Sequence, residues 1–204
     1  MADIIRFKPS GMRPLLRDAL EKRQLVRVWR GNLEAGSFCG YVGAIGQEFF
    51  LMWVLGDNLA FDGVFALRLR DVTEVEAPDK HHRFLERAIQ LKGLVPQLPS
   101  GFQLDDVRGV MASAGAEASV VSVYVDGEEE AEVCYIGRLL GFEDDGFSLQ
   151  EVTPDAEWLR EPSFFIWDEI STVCIADPYA DALAVVAGTP PALEHGDPGF
   201  GRAH

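Results

Sequence analysis

Cysteine is scarce in this chain. Its three residues, Cys39, Cys134 and Cys174, form no CxxC pair, and each sits in an apolar stretch. An odd number so placed fits small buried hydrophobes better than a disulfide framework or a zinc site. Long apolar runs are missing as well: the longest, from Phe49 to Leu55, is far too short to span a bilayer. The start, Met1-Ala2-Asp3-Ile4-Ile5-Arg6, lacks the basic residues, apolar core and cleavage site of a signal peptide. The expectation is a cytoplasmic protein without membrane association.

Motifs that carry chemistry are also missing. There is no glycine-rich phosphate fingerprint and no recognisable nucleophile arrangement of Ser, Cys and His. His81 and His82 are adjacent, whereas metal pairs on a helix stand four apart, so surface histidines are expected. Asp126-Gly127-Glu128-Glu129-Glu130 and Glu143-Asp144-Asp145-Gly146 lack the ligand order of a calcium loop and fit solvated turns. No catalytic residue, metal or cofactor is therefore expected, and the chain reads as a non-enzyme.

Positive charge is short in one half only. Residues 1–92 hold 14 Lys and Arg against 12 Asp and Glu, a balance of +2; residues 93–204 hold 4 against 21, or −17. The total of −15 repels phosphate backbones and attracts basic partners.

What is present is a pattern that recurs. Val26-Arg27-Val28-Trp29 matches Val121-Ser122-Val123-Tyr124, each alternating in strand fashion. Val42-Gly43 matches Ile136-Gly137, Phe49 and Leu51 match Phe147 and Leu149, and Asp71–Val75 matches Glu169–Val173. The spacing steps from 94 to 98 between Gly43 and Phe49, which places an insertion in that turn. Helices are expected over residues 14–23 and 105–116 before the strands, and over 79–92 and 179–186 after them. The third puts Phe84, Ala88 and Leu91 on one face. Residues 93–103, with Pro96 and Pro99, read as a linker, and 189–204 as a flexible tail. The units are then 1–92 and 104–188. Short strands with tight turns suggest a small closed barrel in each. The fold class is mainly β with flanking α-helices (α+β).

These residues resemble the Sm/LSm-like, SH3-type barrel: a helix, a strand, Gly40-Tyr41-Val42-Gly43-Ala44, a turn, Glu48-Phe49-Phe50-Leu51, and a closing Asp71-Val72-Thr73-Glu74-Val75. The second copy offers Ile136-Gly137-Arg138-Leu139-Leu140, Gly146-Phe147-Ser148-Leu149 and Glu169-Ile170-Ser171-Thr172-Val173. The resemblance implies two tandem Sm-like barrels, each preceded by a helix, forming a pseudo-dimer. It also implies assembly through strand edges and, in many members, binding of single-stranded RNA. The RNA motifs of the family are not matched: Leu67-Arg68-Leu69-Arg70-Asp71 and Ile166-Trp167-Asp168-Glu169 stand where its Arg-Gly or Lys-Gly would fall.

Two surfaces are candidates. Lys22, Arg23, Arg27, Arg68 and Arg70, with Trp29 to stack on a base, would make an anion or RNA patch on the first barrel. Phe49 to Leu55 is apolar on both faces, so Phe50, Met52 and Val54 are candidates for an interface. The expected function is a binding or assembly module with a protein partner or self-association. RNA is the alternative, disfavoured by net charge.

Overall fold

The computed structural model describes residues 9–78, 81–96, 99–125 and 133–193. The acidic run 126–130, Asp79 at the expected start of the third helix, and the end of the expected tail lie outside them.

The first half runs α1 (Pro9–Lys22), β1 (Leu25–Trp29), β2 (Ser37–Ile45), β3 (Phe49–Leu55), β4 (Phe61–Arg68), a 3₁₀ turn (Leu69–Asp71), β5 (Glu74–Glu76) and α2 (His82–Leu91). The second runs α3 (Val107–Glu117), β6 (Val121–Val125), β7 (Val133–Phe142), β8 (Gly146–Glu151), β9 (Ser163–Ile166), a 3₁₀ turn (Trp167–Glu169), β10 (Ile170–Ile175) and α4 (Pro178–Ala187). The two orders are the same.

Closed barrels are not what these strands build. All ten join one open antiparallel sheet, in the order β5-β1-β2-β3-β4-β10-β6-β7-β8-β9. The reason lies in β4, which does not close onto β5 of its own half. Its residues Val64 to Leu67 pair instead with Ile175 to Thr172 of β10, and both strands are apolar enough to be buried on both faces.

Cross-strand partners share a face of a sheet, so the register shows which face each core uses. Phe65, paired with Cys174, and Leu67 point to a first core of Val26, Val28, Phe50 and Met52 under Met12, Leu16 and Ala19 of α1. Val64, paired with Ile175, and Ala66 point the other way, to a second core of Val121, Val123, Phe147 and Leu149 under Val110, Met111 and Ala114 of α3. Phe49 and Leu51 join that second core. The sheet thus presents opposite faces to its two cores, and its seam is buried on both sides. The remaining helices lie across from these: Ile89 of α2 over Leu25, Cys39 and Leu55, and Ala180 and Leu183 of α4 over Val120, Ile136 and Val152.

The matched landmarks need one shift. Val26 pairs with Gly40 as Val121 pairs with Gly137, and Ile45 pairs with Phe50 as Phe142 pairs with Phe147. Gly137 therefore corresponds to Gly40 rather than Gly43, and Phe147 to Phe50 rather than Phe49. The expected insertion between Gly43 and Phe49 is not there; the extra length falls between the first two strands of the second half. Glycine holds both positions for a reason. A Cβ at Gly40 would lie 2.0 Å from the Trp53 carbonyl oxygen, and one at Gly137 would lie 2.4 Å from that of Gln150.

Candidate functional site

Two buried arginines hold the seam. Arg68, at the end of β4, pairs with Asp71 at 2.6 Å and donates to the carbonyls of Asp168 and Ile170 at 3.1 and 3.0 Å. Arg30 is fully buried; it pairs with Glu34 at 2.8 Å, donates to the Thr172 hydroxyl, and lies over the Phe38 ring. Each reaches from the first half into the second.

This placement dismantles the expected basic patch. Arg68 is buried at the seam, not on an outer surface. Arg27 donates to the Ser37 hydroxyl at 3.1 Å. Lys22 is exposed and pairs with Asp18 at 2.7 Å, Arg70 is exposed beside Asp71, and Trp29 is half-buried, its carbonyl accepting from Thr73. Arg23 lines a separate cleft with Arg83 and Arg87. The expected interface is closed as well. Phe50, Met52 and Val54 are buried in the first core, because α1 covers them, while on the opposite face of β3 Phe49 and Leu51 are covered by the second half and Leu55 by α2. Cys39 and Cys174 are buried as expected, but Cys134 is exposed. His82 is buried rather than at the surface.

One cleft opens at the seam itself. It measures about 530 Å³ and is lined by Asn58, Ala60, Phe61, Asp62, Phe65, Tyr124, Asp177, Pro178 and Tyr179. The β3–β4 turn supplies one wall. Asn58 accepts from the Ala60 N–H at 2.8 Å, and Lys92 donates to the carbonyls of Asn58 and Leu59, so the turn is tied to the end of α2. Gly56 leaves room for Asp62: a Cβ there would stand 2.3 Å from its carboxylate. The start of α4 supplies the other wall. Asp177 caps that helix, accepting from the Tyr179 N–H at 2.9 Å and from the Ser122 hydroxyl at 3.2 Å.

Aromatic rings come from both halves. Phe65 and Tyr124 stand 6.4 Å apart, Phe61 stacks on Trp53 behind it, and Tyr179 is exposed at the rim. Burial pushes the Asp62 carboxyl up, and the charges of Asp177 and Asp57 add to the shift. Burial also raises the Tyr124 phenol, which stays a neutral hydroxyl. Among the described residues, no Lys, Arg or His lines the cleft. Aromatic side chains beside two mutually repelling carboxylates make a lining that suits a cation better than an anion. Among the described residues no group of three or more His, Cys, Asp or Glu could hold a metal ion, and no helix is long and apolar enough to cross a membrane.

Sequence reasoning missed this cleft because its walls lie more than 100 residues apart, on turns with no motif. The one available signal was charge: an acidic second half calls for a basic partner. Comparison with protein-family models, curated proteins and solved structures finds no match to the chain.

Proposed function

We propose that the protein is a non-enzymatic binding module whose seam cleft takes the cationic head of a lysine or arginine side chain from a protein partner. The observation that carries this reading is the cleft lining: Phe61, Phe65, Tyr124 and Tyr179 beside Asp62 and Asp177, with no cation among them. An ammonium or guanidinium group there would meet ring faces, worth about 0.5–2 kcal/mol each, and would relieve the repulsion between the carboxylates. The net charge of −15 would favour encounter with a basic segment. The matching element order supports reading the chain as two copies of one unit, with the cleft formed where they join. The RNA alternative keeps less support, since Arg68 serves the fold and the remaining basic residues do not line one cleft.

Fluorescence anisotropy with labelled lysine-rich, trimethyl-lysine and arginine-rich peptides, against a glutamate-rich control, tests the reading. Binding of a cationic peptide should weaken with salt. Asp62→Asn should weaken it at least tenfold and Tyr179→Ala should also lower it, while Arg70→Ala should leave it unchanged. Equal binding by wild type and Asp62→Asn, or no binding at low salt, would overturn the proposal.

A further inference from the structure

A second cleft, of about 600 Å³, lies between the end of α1, Tyr41 of β2, and α2 with the segment after it. Its charge is opposite to that of the seam. Arg23, Arg83 and Arg87 line it, with Glu86 as the sole carboxylate among the described residues, above a floor that includes Ile89 and Leu94. Arg83 and Arg87 stand one turn apart on the same side of α2, where like charges repel. Arg87 donates to Gln90 at 3.0 Å; among the described residues neither Arg23 nor Arg83 has an ion-pair partner.

Arg23 adds a backbone observation. The Gln24 N–H donates to the Ala19 carbonyl at 3.1 Å and the Arg23 N–H to that of Leu20 at 3.2 Å, which closes α1 in a Schellman motif. Arg23 occupies its left-handed position, at φ 50°. Glycine adopts that conformation without cost, whereas a residue with a Cβ is strained there. The chain keeps an arginine at this position, and its side chain lines the cleft.

The rest of the lining is partly apolar: Ile89, Leu94, Val95 and Pro96 belong to it, and Val95 is 68% exposed. Phe84 and Leu91, 65% and 72% exposed, stand outside the cleft on the far side of Arg87. A free phosphate has nothing to set on the apolar lining. The net charge of −15 repels every extended polyanion, so the occupant must be short, with few charges to place on the three arginines. A short acidic segment with interspersed apolar side chains matches both features.

We infer that the α1–α2 cleft is a second binding site, which takes an acidic amphipathic peptide segment of a protein partner through Arg23, Arg83 and Arg87. This inference does not rest on the seam reading. The test uses the full chain and a fluorescent peptide of alternating Glu-Asp and Leu-Phe pairs, with polyglutamate, inorganic phosphate and single-stranded RNA as competitors. The peptide should bind, and Arg23→Gly should weaken it at least tenfold while the melting temperature holds or rises. Arg83→Glu/Arg87→Glu should abolish binding, whereas Asp62→Asn should not change it. Arg23→Gly binding as wild type does would overturn the proposal. So would displacement of the peptide by phosphate or RNA at lower concentration than by unlabelled peptide, or no binding at low salt.

Discussion

Arg68 shows how a residue's environment, rather than its type, decides its role. The sequence offered it as part of an outer basic patch, but it stands at the end of β4, where the second half covers it. Its guanidinium is almost fully covered and spends its donors on Asp71 and on the carbonyls of Asp168 and Ile170. Removing one member of such a buried network leaves a carboxylate and two acceptors without their donor, at a cost of about 3–5 kcal/mol. Urea denaturation of Arg68→Ala should show that loss, whereas Arg70→Ala, at an exposed site, should fall within about 0.5 kcal/mol of wild type.

Asp62 carries a titration with a definite sign. Its folded carboxyl is raised by burial and by Asp177 and Asp57, so the folded state holds the proton more tightly than the unfolded chain. Stability from this group is greatest at low pH. It declines as pH rises from the ordinary carboxylate value of about 4 through the raised one, above which the penalty is fully present. Asp62→Asn should flatten that decline in denaturation measured across the window. Cationic peptide should bind more tightly as pH rises through it, because the ionised carboxylate is the form a cation stabilises.

At the scale of elements, strands were more legible than their closure. Val26 and Val28, and Val121 and Val123, alternate as expected and fill the two cores. Helices fell close to expectation too: α3 runs Val107–Glu117 despite Gly109 and Gly115, because Asp106 caps it and Val110, Met111 and Ala114 are buried. Gly109 N–H supplies the capping bond itself, at 2.7 Å. What the sequence could not convey was the partner of β4, since Val64 to Leu67 suits any apolar neighbour. The seam is held by contacts between residues far apart in the chain, Arg30 on Thr172 and Arg68 on Asp168 and Ile170, which no local pattern encodes. The register makes its own prediction. A side chain at Gly40 must push the β3 backbone away at Trp53, so Gly40→Ala should destabilise by about 1–3 kcal/mol, while Gly36→Ala, in open space, should be nearly neutral. Chemical denaturation of the two variants distinguishes them.

For the whole molecule, the seam means that neither half is a finished structure. Phe49, Leu51, Val64 and Ala66 of the first half are buried only by the second core, with Leu104 as part of the cover. The Leu104 carbonyl accepts from the N–H groups of Glu48 and Phe49 at 3.3 and 3.0 Å, tying the linker region onto β3. A fragment of residues 1–96 would expose that apolar face and leave the β4 edge unpaired, which together make a template for aggregation. The expected outcome is a fragment that is insoluble or associates, and a full chain that unfolds in a single transition, with tryptophan fluorescence and circular dichroism coincident. Two separated transitions, or a monomeric and cooperatively folding 1–96, would mean that the seam joins two self-sufficient units. The cleft between them would then depend on a weak contact rather than on a shared core.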